Sequence, residues 1–63
     1  MYIAYKINTD GTLTNKEHLN NAMELDEWMW RAYDNSVPTV RVESEKTDQF
    51  AIFTDNGERY VRI

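Results

Sequence analysis

Residues 49–63, QFAIFTDNGERYVRI, decide the fold of this chain. Residues 50–53 are apolar on both faces of an extended chain, which is typical of a central strand with something lying on each side. Asn56 and Gly57 follow, and this dipeptide is the strongest short hairpin signal because both residues accept the positive φ of a tight turn. Residues 59–63 then return as a last strand. The stretch therefore predicts a β-hairpin at the end of a larger sheet.

Two segments further toward the N-terminus repeat the strand pattern. Residues 1–8 and 39–43 each alternate β-branched or aromatic side chains with smaller or charged ones, a period of two that indicates half-buried strands. Asp10 and Gly11 form a turn signal after the first segment, and residues 45–48 form a polar turn after the second. The sheet is thus predicted to contain four strands.

The residues between the first two of these strands predict a helix. Thr14, followed by Glu17, fits a capping box and would start a helix near Asn15. One straight helix from there to Asp34 would place Asp26 in the middle of its apolar stripe, where an unpaired carboxylate is costly.

The conflict eases if the helix breaks near Glu24 and Asp26 caps a second segment. We therefore predict a helix over about residues 26–34, which ends before Pro38. The state of residues 13–24 stays open between a short helix and a second strand with a loop.

The predicted fold class is α+β: a single small domain over residues 1–63, with an antiparallel sheet in β-α-β-β-β order and one helical layer packed on one face. At 63 residues and 41% apolar composition, the chain has room for one small core. A domain of this size buries only about 60% of the surface of its unfolded chain. We therefore expect a monomer or a homodimer.

Several classes of protein are excluded or disfavoured by composition. The chain has no cysteine, which rules out a disulfide framework or a thiolate zinc site. No apolar run approaches the roughly 20 residues that span a bilayer, and no signal peptide opens the chain. We expect no membrane association and a cytoplasmic location.

A search for catalytic patterns predicts that the chain is not an enzyme. Ser36 and Ser44 lie outside any nucleophile-elbow context, and His18 has no second ligand at helical spacing. Gly11 and Gly57 are explained by turns and form no phosphate loop. We predict no catalytic residue, no metal site and no cofactor.

The formal net charge of −4 is concentrated in the middle of the chain, since residues 10–34 hold six acids against Lys16 and Arg31. This acidic surface is either an ordinary solvated face or a patch that attracts basic protein surfaces. Trp28 and Trp30 lie two positions apart, so both cannot point into one core, and an exposed tryptophan favours an interface. The predicted partner-binding residues are Glu24, Asp26, Glu27, Trp28, Trp30 and Asp34.

The sheet would leave one face open. The alternation suggests that the helix covers Ile3, Tyr5, Ile7, Val40, Val42, Val61 and Ile63. The open face would then hold Tyr2, Ala4, Lys6, Arg41, Glu43, Tyr60, Arg62 and either Phe50 or Phe53. Such an aromatic and basic face could stack bases, or it could hold ordinary cross-strand pairs. The secondary candidate surface, for an alternative function as a small nucleic-acid-binding module, is Tyr2, Lys6, Arg41, Tyr60 and Arg62.

The order of these segments resembles a known layout. Residues 4–7, the short helix, residues 39–44 and residues 54–61 are similar to small phage-encoded anti-CRISPR proteins of the type I-F kind, in which a strand, a helix and a terminal hairpin recur. The positions that match are Lys6, Arg41, Arg59, Tyr60 and the turn from Asp55 to Gly57. Residues 23–28, followed by a Val-Arg-Val strand, also resemble a small phage inhibitor of host RNA polymerase.

The resemblance implies a non-enzymatic, phage-encoded inhibitor that acts in the bacterial host cell. Its partner would be a host protein complex that binds nucleic acid, either a CRISPR effector or RNA polymerase. Because this chain is acidic overall, its side chains would occupy a basic channel of that complex, and direct binding of nucleic acid would be secondary.

Overall fold

Five strands and one helix make up the chain, and the computed structural model describes all of residues 1–63. The elements are β1 Tyr2–Ile7, β2 Leu13–Leu19, α1 Ala22–Asp34, β3 Thr39–Ser44, β4 Phe50–Asp55 and β5 Tyr60–Arg62. The strands form one antiparallel sheet of order β2-β1-β3-β4-β5, and α1 packs on one face of it. The predicted α+β class and β-α-β-β-β order are confirmed, with β2 as a further strand before the helix.

The open question of residues 13–24 is answered by β2, which pairs with β1 along the edge of the sheet. The register shifts between Ala4 and Lys6, opposite Asn15, whose φ is 56°. Asparagine is among the few residues that accept this left-handed conformation, which the chain adopts at this bulge. Of the two alternatives for these residues, the strand with a loop is therefore confirmed, and a helix that begins near Asn15 with Thr14 and Glu17 as its capping box does not form.

The helix begins instead at a second capping motif, seven residues further on. The Asn21 side chain accepts a hydrogen bond from the Glu24 N–H at 2.9 Å, and the Glu24 carboxylate accepts one from the Asn20 N–H at 3.1 Å. The two bonds satisfy N–H groups of the first turn and of the residue before the cap. The predicted break at Glu24 and the cap at Asp26 are therefore wrong.

The buried stripe of α1 explains why Asp26 causes no conflict. Trp28 and Ala32 are buried, with Leu25 and Met29 packed beside them, at the i, i+3, i+4, i+7 spacing of one helix face. Asp26 lies outside this stripe and is exposed. The helix ends at Asn35, as the sequence predicts. With 13 residues, α1 is too short and too polar to cross a membrane.

The core lies between α1 and the centre of the sheet. It contains six buried residues, namely Ala4, Leu19, Trp28, Ala32, Val40 and Val42. Ala4 pairs directly with Val42, and Lys6 with Val40, so these residues share a face. The helix therefore covers Ala4, and the predicted orientation of β1 is reversed.

The last strand is reversed in the same way. Tyr60 pairs with Asp55 and Arg62 with Phe53, which puts both β5 side chains on the side of the helix. The register of β3 confirms that Val40 and Val42 face the helix and that Arg41 and Glu43 face away from it. Of the two phenylalanines, Phe53 packs against the core and Phe50 points to the other side.

The opposite side of the sheet has no helix on it. We call it the open face. Its side chains are Ile3, Tyr5, Ile7, Leu13, His18, Thr39, Arg41, Glu43, Phe50, Ile52, Thr54, Val61 and Ile63. The face predicted to be aromatic and basic is thus mainly apolar, with more aliphatic than aromatic side chains and one arginine at its centre.

Candidate protein interface on the helix

The solvent side of α1 carries a continuous stripe of exposed side chains. We call this stripe the outer helix face. It consists of Met23, Asp26, Glu27, Trp30, Arg31 and Asp34. Their spacing of three and four residues places them on one side of the helix, opposite the buried stripe. Three carboxylates, one guanidinium and two large apolar side chains therefore share one accessible surface.

The two tryptophans lie in different environments. Trp28 is 7% exposed in the core, whereas Trp30 is 54% exposed on the outer helix face. This confirms the prediction that the pair cannot share one core. Trp28, which was also predicted to bind a partner, is occupied by the fold, so Trp30 is the tryptophan available as an anchor.

Three of the four predicted acids are free to meet a partner. Asp26, Glu27 and Asp34 are exposed, and no ion pair within 4.0 Å engages them. Glu24 is half-buried and holds the first turn of the helix through the Asn20 N–H. Substitution of Glu24 would therefore disturb the helix start as well as the surface charge.

An apolar groove of about 160 Å³ runs beside Trp30, between the helix and the terminal hairpin. Its lining residues are Asp26, Met29, Trp30, Tyr33, Arg59 and Tyr60. The rings of Trp30 and Tyr33 meet edge to face at 6.1 Å, and those of Tyr33 and Tyr60 at 5.4 Å. Three aromatic rings in series thus form one wall, and Asp26 stands at its edge.

A hydrogen bond fixes the far end of this aromatic wall. The Tyr60 hydroxyl donates to the Val37 carbonyl at 2.6 Å. Burial, followed by the Asp55 carboxylate, raises the pKa of Tyr60 to about 12. Burial and then the Asp55 carboxylate also raise the pKa of Tyr33. Both phenols are therefore neutral near pH 7, and the ring of Tyr60 is held in place, which lowers the entropy cost of binding against it.

Sequence reasoning missed Met23 and Tyr33 as parts of this surface. Met23 is 72% exposed and lies two helical turns before Trp30, a spacing that the sequence does display. Tyr33 reaches the groove through its contact with Tyr60, which depends on the register of the terminal hairpin. The Asn56-Gly57 signal predicts the hairpin but not the four-residue loop that sets this register.

The secondary candidate surface is divided between the two sides of the sheet. Tyr2, Lys6, Tyr60 and Arg62 lie on the side of the helix, and only Arg41 lies on the open face. They therefore form no common stacking platform. Lys6 lines a separate groove of about 580 Å³ beside β2, together with Lys16, Arg31 and Glu17.

The single histidine lies at the sheet edge, outside both grooves. His18 Nδ1 is 2.8 Å from Glu45 Oε1, and the His18 side chain is 61% exposed. This contact ties β2 to the turn between β3 and β4. No group of three or more histidine, aspartate or glutamate side chains is placed to hold a metal ion.

Comparison with known proteins finds no match to this chain among family models, curated proteins or solved structures. The resemblance to phage inhibitors therefore stays a prediction. The case for function rests on the outer helix face and the groove beside it.

Proposed function

We propose that this chain is a non-enzymatic binding protein, an anti-CRISPR-like inhibitor encoded by a phage, that docks its outer helix face on a basic nucleic-acid-binding surface of a host complex. The observation that carries this proposal is Trp30, which is 54% exposed among Asp26, Glu27 and Asp34. A large exposed aromatic surrounded by unpaired acids is the arrangement of a binding hot spot with a charged rim.

The groove beside Trp30 suits a basic side chain of such a partner. An arginine or lysine could stack its cation on the aromatic wall and place its charge near the Asp26 carboxylate. Surfaces that hold nucleic acid are rich in these side chains. The acids of the helix would occupy positions that phosphates otherwise take, so binding of this protein and of nucleic acid would be mutually exclusive.

Direct binding of nucleic acid is not favoured by the observed surface. The phosphate contacts that dominate such binding need a basic stripe, and the outer helix face has one cation against three acids. A CRISPR effector and RNA polymerase both hold nucleic acid on basic surfaces, so both fit the proposal, and the experiment below separates them.

The test is affinity capture from bacterial lysate treated with nuclease, with the captured proteins identified by mass spectrometry. The wild type is compared with Trp30→Ala and with Asp26→Lys/Glu27→Lys. We expect both variants to lose the captured complex and the double reversal to slow association, with a weaker dependence on salt. The captured complex should then fail to bind its nucleic acid when the wild type is present.

The matched control is Glu45→Lys/Asp48→Lys, which changes the net charge equally but in the turn between β3 and β4. It removes one surface contact of Glu45 with His18, which has little energetic weight. The proposal is contradicted if control and test variants lose the same proteins, or if the captured protein binds nucleic acid equally well with and without this chain.

A further inference from the structure

The open face of the sheet is an apolar surface that no other element of the chain covers. Ile3, Tyr5 and Ile7 project from β1. Beyond the central strand β3, Ile52 projects from β4 and Val61 from β5 on the same face. Of the six large apolar side chains that are highly exposed, three lie on this face: Leu13 at 43%, Phe50 at 49% and Ile63 at 78%. Because the helix covers only the opposite side of the sheet, these three side chains are exposed to water.

On the side of the sheet that the helix covers, the core of a single chain is small. Only six of 63 residues are buried, because one helix of 13 residues covers part of a five-stranded sheet. A domain this small gains stability when a second apolar layer is added. The missing layer therefore belongs on the open face.

The size of the open face fits a second copy of the same sheet. Five strands at about 4.8 Å spacing span about 24 Å, and strands of six residues at about 3.3 Å each are about 20 Å long, whereas β5 with three residues is half that length. The face is therefore about 430 Å² in projection, and the accessible area of a corrugated face is larger. Specific interfaces start near about 600 Å² per partner, so the face lies at the lower limit of the range and fits a weak dimer.

The charges at the centre of the open face are self-complementary. Arg41 and Glu43 lie on β3, the middle strand, with Arg41 Nε 4.0 Å from Glu43 Oε2. The Arg41 guanidinium also lies 3.8 Å from the centre of the Phe50 ring. Each of the two charged side chains is only about a quarter exposed, 28% and 26%. An arginine and a glutamate in one small apolar face suit a partner that offers the same pair in reverse order.

Only one two-fold arrangement places Arg41 of one copy against Glu43 of the other. Two sheets packed face to face have a two-fold axis that runs between them, either along β3 or across it. An axis along β3 would set each Arg41 against the Arg41 of the other copy. An axis across β3 at Val42 sets Arg41 of each copy against Glu43 of the other, because the two residues are equally far from Val42.

We propose that this protein forms a two-fold symmetric homodimer through the open face, with the two β3 strands antiparallel and Arg41 of each copy paired with Glu43 of the other. Aliphatic side chains of β1 and β4 from both copies surround the four charges. The outer helix faces point away from each other and stay accessible. The dimer thus does not depend on the proposed function.

The first experiment is sedimentation velocity of the purified chain from about 1 to 500 µM. An interface of this small size is typical of weak association. We therefore expect a monomer–dimer transition within this concentration range. A chain that remains monomeric over the whole range overturns the proposal. Trp30→Ala, on the opposite surface, is the matched control and should dimerise like the wild type.

The second experiment uses charge exchange. The variants Arg41→Glu and Glu43→Arg each place like charges at the centre, so each alone should shift the midpoint at least tenfold toward higher concentration. An equimolar mixture of the two should dimerise again, because the doubly acidic face meets the doubly basic one. Dimers that withstand both single changes, or a mixture that stays monomeric, would refute the proposed interface.

A measurement on the unmodified protein covers the case in which a variant does not fold. In a mixture of isotope-labelled and unlabelled chains, isotope-filtered NMR detects contacts between copies only. Contacts from the rings of Tyr5 and Phe50 to the methyl groups of Ile3 or Ile52 of the other copy support the proposal. Contacts confined to an edge strand, β2 or β5, would overturn it.

Discussion

Removal of one hydroxyl group at Tyr60 tests how the last strand is held. In the wild type this hydroxyl donates to the Val37 carbonyl at 2.6 Å, across 23 residues of sequence. Tyr60→Phe keeps the ring and its contact with Tyr33 but leaves the carbonyl without this donor. A hydrogen bond of this kind contributes about 1 kcal/mol net. For a domain of this size, that loss corresponds to a fall in Tm of about 4–8 °C.

The same substitution should also change the response to alkaline pH. The pKa of Tyr60 is raised to about 12, above the value of about 10 for an unfolded chain. Below pH 10 both states keep the phenol proton. Between pH 10 and 12 the unfolded chain releases it first, so the free energy of unfolding falls as pH rises, by at most about 1.4 kcal/mol per pH unit. Above pH 12 the phenolate can no longer donate to the Val37 carbonyl.

The assay is urea unfolding followed by far-UV circular dichroism at pH 7 and at steps from pH 10 to 12. The difference in stability between wild type and Tyr60→Phe should be about 1 kcal/mol at pH 7, should reach zero about one pH unit above pH 10 and should reverse in sign toward pH 12. Tyr5→Phe, on the open face, removes a hydroxyl that makes no hydrogen bond within the chain, and it is the control that should change little. A difference that is absent at pH 7, or that stays constant up to pH 12, would refute the reasoning.

Three further predictions concern the helix and the terminal turn. In urea unfolding, Asn21→Ala should lower the free energy of unfolding by about 1 kcal/mol, whereas Thr14→Ala should lower it by less than about 0.5 kcal/mol. Equal losses for the two variants would contradict Asn21 as the N-cap of the helix. Trp28→Ala should cost about 3 kcal/mol or more and Trp30→Ala no more than about 0.5 kcal/mol in the same assay, and the reverse order would contradict their burial. Gly57→Ala should cost about 1 kcal/mol because the φ there is 97°, and an unchanged thermal midpoint would argue against this turn.

The sequence predicted the strands well because their signals are local. The alternation of residues 1–8 and 39–43 and the Asn56-Gly57 turn each report on a few neighbouring residues, and β1, β3 and the terminal hairpin are where these patterns place them. The helix end at Asn35 is likewise local. Such features require no knowledge of distant contacts.

One of two similar local patterns for a helix start was missed. Thr14 with Glu17 and Asn21 with Glu24 both match a helix start, and only the second is used. The first pair lies in β2, where pairing with β1 and the bulge at Asn15 outweigh a local capping preference. Tertiary pairing of this kind overrides helix propensity, because propensity differences are small.

The main error of the prediction concerns which side chains of β1 and β5 face the helix, and its cause is the register of these strands in the sheet. Ile3, Tyr5 and Ile7 form the more consistently apolar row of β1, so the sequence favoured them for the core. The indole of Trp28 occupies that core together with Ala4, which is fully buried. A shift of one residue exchanges the two faces of a strand, and nothing in the local alternation fixes which side the helix covers. This is also why the sequence predicted a basic open face and the structure has an aliphatic one.

The unequal environments of the two tryptophans give the chain a pair of built-in optical reporters. The indole of Trp30 lies in solvent, so its fluorescence should be quenched readily by acrylamide, while Trp28 should be shielded. A partner that covers the outer helix face would protect Trp30 and shift its emission to shorter wavelength. Pairing through the open face would leave its quenching unchanged. A single spectroscopic titration on the unlabelled protein therefore distinguishes the two surfaces, with Trp30→Ala as the reference for the Trp28 signal.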